Sequence, residues 1–478
     1  MIIVPKKAEH RFVFVSNIKD PLADRLNPFP EYMEAFLLSQ SYSTPKALDL
    51  VARAQSLGSL IISDNGNFSR ITAIAGNFME KGGAILAKAE LEVQTAKRVS
   101  PETLSERLQL IQEIELFIAD ERKKTDVNKI IHRQMQCHPD YAIGMEDLHI
   151  PVLHMIGLLD TVFEPEPVFV KPYQLNTQQI YLGEQSGQFG SKEELDKVVK
   201  FLVYHSYDYA SARQAALLNK KSNAEGIAIS LGAPLASRNY IPGVKIGNTQ
   251  YVFSEKLPES YVLSIALVLA CVKGDTQKLP VHILGVGTPI LIILLGCMLR
   301  KSRAVSIDST ATFKDADDGN LYGSRYAFLK MDMYKVAAFA LVNDDPYASS
   351  SPWFNWFESL YPSDWKTLRQ ELNVTSTDDT NALAEKLKKN PALLEKYIPF
   401  FTPMRAGADL FIKRVRIART GTNFWVLNQI CAEIRKRLDN PAALNKWVDA
   451  EIKRYEMYAS PKWATTVRMC FDIIKKHL

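Results

Sequence analysis

A chain of 478 residues that is 47% hydrophobic can bury a large core and is longer than one compact barrel needs, so one large domain plus an added region is expected. The net charge of +5 does not advertise a polyanion partner for the molecule as a whole, yet residues 401–478 carry 15 Lys and Arg against 7 Asp and Glu, concentrating basic surface at the C-terminal end. Five scattered cysteines (Cys137, Cys271, Cys297, Cys431, Cys470) exclude a C-x-x-C pair, and neither a signal-like start nor an apolar run beyond Ile290–Leu299 is present, which predicts a soluble protein of a reducing, cytoplasmic compartment.

In chain order, short runs rich in Val, Ile and Phe are closed by polar or glycine residues: RFVFVSN (11–17), SLIISDNG (59–66), DYAIGMED (140–147), KFLVYHS (200–206), EGIAISLG (225–232), VHILGVG (281–287) and AVSIDS (304–309). Each predicts a buried strand, and PVFVKPY (167–173) is a weaker eighth. Helical periodicity falls between them at Leu104 to Glu121, Glu193 to Val199, Ala210 to Asn219, Tyr261 to Cys271 and Pro289 to Arg300. Strands alternating with helices imply parallel pairing, and a count of eight favours a closed (β/α)8 TIM barrel within the α/β class. Past residue 330 the strand signals fade, and Trp365 to Leu372, Asn381 to Lys388, Ala442 to Met457 and Lys462 to His477 predict a mainly helical C-terminal extension. Polar punctuation at NDDPYASSSP (343–352) sets the expected boundary between a barrel domain, 1–342, and a basic helical domain, 353–478.

A parallel barrel assembles its site at the carboxyl ends of its strands. The residues that close the predicted strands are acidic: Asp64, Glu146 with Asp147, and Asp308, with glycine turns at Gly232, Gly285 and Gly287. No nucleophile elbow, metalloprotease helix or phosphate loop occurs, and His205 is the one strand-ending histidine, so the chemistry runs on carboxylates. A pair of them flanking an anomeric carbon suits retaining cleavage of a glycosidic or N-glycosidic bond, one attacking while the other moves protons. Strand-end carboxylates also cap helices or pair with cations, so several together count for more than any one.

Two blocks resemble the guanine transglycosylases. Ser63-Asp64-Asn65-Gly66-Asn67-Phe68 is similar to that family's Asp-Ser-Gly-Gly-Phe/Tyr-Gln turn, with Asn67 and Ser69 standing where the family has Gly and Gln. Gly285-Val286-Gly287-Thr288-Pro289, then Ile307-Asp308-Ser309, then Asp318-Gly319-Asn320-Leu321-Tyr322 resemble its Gly-Val-Gly-x-Pro turn, Phe-Asp-Cys strand end and Asn-Gly-x-Leu-Phe segment. Met145-Glu146-Asp147 and Ala228-Ile229-Ser230-Leu231-Gly232 are weaker matches, and the coverage is about residues 10–325.

The resemblance implies that Asp308 attacks C1′ of a guanosine unit and that Asp64 is the general acid/base. It implies that Phe68 and Leu284 sandwich the purine, that Glu146 or Asp147 reads its edge, and that the backbone at Leu231, Gly232 and Gly285 approaches the base. Ordinary packing is the alternative for Phe68 and Leu284, and a plain strand-to-helix turn for Leu231 and Gly232. No cofactor is implied.

The chain departs from the tRNA-directed members. Tyr322 to Asn343 contains no cysteine, so their structural zinc cluster cannot form there, and Ala311-Thr312-Phe313-Lys314 replaces their Pro-Thr-Arg. Lys413, Arg414, Arg416 and Arg419, interleaved with aromatics, suit phosphate contact and stacking, or else make a solvated helix face. These departures are similar to the DpdA-type DNA-guanine transglycosylases of phages and bacterial islands. The expected partners are therefore DNA and a 7-deazaguanine base, with accessory proteins possible and no membrane. A tRNA-directed enzyme, a non-catalytic accessory subunit and a glycoside hydrolase are the alternatives.

Overall fold

The computed structural model describes residues 11–18, 33–146, 148–163, 198–219, 224–323, 326, 328–344, 351–402 and 410–478. Its strands are β1 (Phe12–Ile18), β2 (Ala35–Ser39), β3 (Leu60–Asp64), β4 (Tyr141–Ile143), β5 (Val199–Tyr204) and β6 (Gly226–Ser230). Then come the antiparallel hairpin β7 (Tyr240–Ile246) and β8 (Thr249–Pro258), β9 (Val281–Leu284), β10 (Val305–Asp308) and a second small hairpin, β11 (Asn320–Tyr322) and β12 (Lys330–Asp332). Eight of them close a parallel barrel in the order β1-β10-β9-β6-β5-β4-β3-β2, with helices around it. The (β/α) barrel with a helical C-terminal region is therefore present.

Seven barrel strands coincide with the runs read from the sequence; the eighth is β2, not residues 167–173, which lie outside the described residues. AFLLS contains no β-branched residue, and all five of its residues are buried, so it shows neither strand composition nor alternation. The helix expected at 193–199 also falls almost wholly outside the described residues, and its last position, Val199, opens β5.

The barrel interior follows from the two-residue period of a strand. Val13 and Val15 of β1, Leu60 and Ile62 of β3, Phe201 and Val203 of β5 and Ala228 of β6 form one enclosed apolar cluster. The alternate residues, such as Phe14, Ile61 and Ile307, belong to the larger cluster between barrel and helices. Continuing the inward series by one step on each strand reaches Asn17, Ser39, Asp64, His205, Ser230, Leu284 and Asp308. The polar layer at the mouth is thus a consequence of register.

The C-terminal helices pack directly against the barrel. One continuous hydrophobic cluster joins Phe14, Ile293 and Leu294 to Phe424, Ile430 and Val467. The helix Leu410–Arg435 lies against β1, stacking Phe424 on Phe14 at 5.6 Å and on Phe313 at 5.1 Å between ring centroids. Its end reaches the start of β1, where Arg435 donates to the Phe12 carbonyl at 2.6 Å and pairs bidentately with buried Glu34 at 2.5 and 2.6 Å. It therefore runs antiparallel to β1 and occupies the place of a barrel helix. Gly421 allows this packing: a Cβ there would sit 2.1 Å from the indole of fully buried Trp353. The expected boundary is itself tied down, since buried Ser351 bonds Thr422 at 2.9 Å. Among the described residues no helix is long and apolar enough to cross a membrane.

Between β3 and β4 the chain makes a long antiparallel helix pair, Asn67–Ala96 and Pro101–Lys123. Ile71, Ile74 and Phe78 of the first helix and Ile111, Ile114 and Ile118 of the second pack with Leu148, Val152 and Ile156 into a third apolar cluster. That cluster braces the turns after β3 and β4.

Candidate active site at the barrel mouth

Asp308 closes β10 and is 8% exposed. Its backbone is clamped by the Gly-Val-Gly turn, where the amides of Gly285 and Val286 both donate to the Asp308 carbonyl at 2.9 Å. Only glycine fits at 285: its φ is +88°, and an added Cβ would lie 2.9 Å from the Gly232 Cα. The spacing of the motif to Asp308 thus has a mechanical reason, because one turn fixes the height of the next strand's last residue.

The Asp308 carboxylate is held from two sides. Asn17 Nδ2 donates to Oδ2 at 2.9 Å, and His282 Nε2 lies 3.3 Å from Oδ1. His282 is 1% exposed, inside the barrel one layer below, with Nδ1 2.8 Å from Ser306 Oγ. Neither Asn17, His282 nor Ser306 was singled out from the sequence. The signal was there for His282: in VHIL it occupies the inward position of a strand whose interior neighbours are apolar.

Asp64 closes β3 and accepts from the Gly66 amide at 3.0 Å. Its carboxyl is pushed up to about 6, first by burial and then by the negative charge of Glu146, with Asp308 adding to the rise and the Gly66 amide and His282 opposing it. Asp64, Glu146 and Asp308, chosen from three separate segments, are thereby brought into one electrostatic cluster. Glu146 is 8% exposed and bonds His205 Nε2 at 2.5 Å. The two turns are stitched together: Asn65 Nδ2 donates to the Gly144 carbonyl at 2.5 Å, and its Oδ1 accepts from the Asn67 amide at 2.7 Å. Asn65 therefore holds the turns that carry Asp64 and Glu146 at fixed separation. Asp147 lies outside the described residues.

Phe68 lies in the first turn of the helix after the Asp64 turn and is 63% exposed, so core packing does not explain it. Leu284 ends β9 beside Asp308 in register and is partly buried against the barrel interior. Leu231 is fully buried, its amide donating to the Leu284 carbonyl at 3.0 Å and its carbonyl accepting from Leu235 at 2.9 Å. It is a strand-to-helix turn residue with both backbone groups engaged. Gly232 is close-packed against Gly285.

The basic run divides. Arg419 is fully buried, donating to the Phe400 carbonyl at 3.1 Å and the Thr402 carbonyl at 2.6 Å; burial lowers its guanidinium to about 10. It cannot touch a polyanion, and the aromatic interleaving around it is core packing. Lys413 is exposed, while partly buried Arg414 donates to the Tyr361 hydroxyl at 3.0 Å. Arg416 lies 3.9 Å from Asp317, which follows β10, so the start of this helix is near the mouth's edge.

Chemically, the mouth offers a gripped, buried carboxylate, a second one poised to hold a proton near neutral pH, a third paired with histidine, and an exposed aromatic ring. No protein-family model matches the chain, and no curated protein matches it.

Proposed function

We propose that this chain is a base-exchange enzyme, a guanine transglycosylase that replaces guanine in DNA by a 7-deazaguanine base such as 7-cyano-7-deazaguanine. Asp308 attacks C1′ of the target nucleotide, an ester bond forms, and the C1′–N9 bond breaks with its electrons going to guanine. Asp64, protonated at that moment, gives its proton to the departing base, which leaves neutral. The carboxylate of Asp64 then takes the N9 proton of the incoming 7-deazaguanine, whose nitrogen attacks C1′ and releases Asp308. Glu146 accepts hydrogen bonds from the guanine edge, and Phe68 with Leu284 provides apolar faces for a base taken out of its stack.

The observation that carries this reading is Asp308, gripped by Asn17 and buried at the barrel mouth, in one cluster with Asp64, whose carboxyl is raised to about 6. The Gly-Val-Gly turn that sets Asp308 in place is also the block on which the family resemblance rests. Exposed Lys413, with Arg414 and Arg416 beside it, is where the DNA backbone would be met.

The test is incubation with guanine-containing DNA, and separately with tRNA, plus 7-cyano-7-deazaguanine, followed by digestion to nucleosides and mass detection. The expected result is the deazanucleoside in DNA, lost in Asp308→Ala. Product confined to tRNA would redirect the substrate assignment, and product in neither with the folded protein would overturn the exchange reading.

A further inference from the structure

Below the mouth, the barrel interior is apolar except at one place. His282 of β9 and Ser306 of β10 face each other in register, level with Ala228 of β6 and beneath Phe201 of β5, whose ring centre is 6.3 Å from that of His282. An imidazole that is 1% exposed needs partners for both nitrogens or it is destabilising where it stands. Nδ1 has Ser306 Oγ at 2.8 Å. Nε2 and Asp308 Oδ1 are both buried without a hydrogen-bond partner, and they face one another at 3.3 Å. A carboxylate only accepts, so the nitrogen facing it carries the proton; a neutral ring then has Nδ1 as acceptor and Ser306 as the donor. In the neutral ring the order is thus Ser306 to His282 to Asp308.

We propose that His282, backed by Ser306, is a positioning residue that aims the Asp308 carboxylate from below while Asn17 fixes its other oxygen from the side. The inference rests on Asp308 being the nucleophile. With Oδ2 bound to Asn17 and Oδ1 facing His282 Nε2 at 3.3 Å, the carboxylate is approached from two sides. Holding that geometry before the substrate arrives removes the search for it from the reaction. The groups facing His282 are Ser306 and Asp308 of β10, the Asp64 charge of β3 and the Phe201 ring of β5, and Asp308 is the carboxylate that lies 3.3 Å from Nε2.

Two substitutions separate aiming from packing. His282→Phe keeps the ring volume and removes both nitrogens, whereas His282→Gln places an amide N–H where Nε2 stood. Expected for His282→Phe is roughly a hundredfold loss in the rate of covalent adduct formation with target DNA, with KM for the incoming base within about twofold; His282→Gln recovers most of the rate. Adduct formation unchanged in His282→Phe, or no better in a folded His282→Gln, overturns the proposal. A second measurement needs no turnover: the chain has eight histidines, so ¹⁵N-imidazole spectra of the substrate-free protein can be assigned by loss of the His282 signals in His282→Gln. The expected tautomer is Nε2–H, with both shifts moving in Asp308→Asn. An Nδ1–H tautomer, or shifts indifferent to residue 308, would sink the inference whatever the activity. The expected spectra in a protein that exchanges no base would instead count against the function.

Discussion

The barrel mouth and the helix Leu410–Arg435 both bury charge, and they do it in opposite ways. At the mouth Asp64, Glu146 and Asp308 are three groups of one sign, and burial first, then the charges of Glu146 and Asp308, raise Asp64 to about 6. Along the helix two cations are met by acceptors, Arg435 by Glu34 and a carbonyl, Arg419 by two carbonyls that leave its Nη1 without a partner. A buried charge with its partners in place maintains a fold, whereas like charges crowded at the ends of different strands are a repulsion that packing elsewhere must offset. Such sites are maintained where a proton has to move.

The sharpest way to break this comparison is Asp64→Asn. If Asp64 moves the proton, exchange falls by about 10²- to 10⁴-fold. Because its folded-state value is raised above the ordinary carboxylate range, ionised Asp64 destabilises the native state as pH climbs through about 6. Asn removes that charge and keeps an acceptor for Gly66. The variant is therefore expected to be more stable than the parent at pH 7.5, by about 1–2 kcal/mol after allowance for screening at the mouth, and equal to it below about pH 4. Thermal unfolding across that range checks the sign; a loss of stability at pH 7.5 would make Asp64 a structural residue like Arg435. In the parent, adduct formation with guanine release falls as pH rises through about 6, since the departing base needs the protonated acid.

How much of this was legible in the sequence depended on whether a residue's role is local. Asp64 and Asp308 were legible because a strand's last inward residue faces the mouth of any parallel barrel, and the glycines beside them report a turn that only glycine can make. Strand β2 was not, because complete burial erases alternation. Arg419 looked like its neighbours Arg414 and Arg416, since a helix of 26 residues shows its buried face only when its packing partners are known, and these lie in β1, in the helix Pro352–Leu360 and at Phe400. Asn17 was invisible for the same reason: its contact with Asp308 spans 291 positions of sequence.

Arg435→Ala tests the answered charges. It strands Glu34, whose carboxyl burial already raises despite Arg435, and leaves the Phe12 carbonyl without its donor. Breaking such a pair is expected to destabilise the fold by about 3–5 kcal/mol, with more lost at pH 8 than at pH 5 because falling pH favours the protonated form of the stranded carboxyl. Urea unfolding at the two pH values measures it. A change under about 1 kcal/mol would mean that the helix is an appendage after all, as the charge distribution alone suggested.

The smallest effect is the most discriminating, because it separates the mouth from the helix without touching a charge. Phe68 is a large apolar side chain left 63% exposed one helical residue beyond the Asp64 turn, so its deletion uncovers little and creates no cavity. Phe68→Ala should leave the melting temperature within a degree or two. If the ring is a face for the flipped purine, the same change removes roughly 1 kcal/mol of stacking, a rise of about five- to tenfold in KM for the incoming base, and Phe68→Trp restores it. Unchanged KM with unchanged stability would leave Phe68 as an exposed residue of no consequence and remove the aromatic face from the proposed base pocket, whereas lost stability would place it with Phe424, as packing that the sequence disguised as a site.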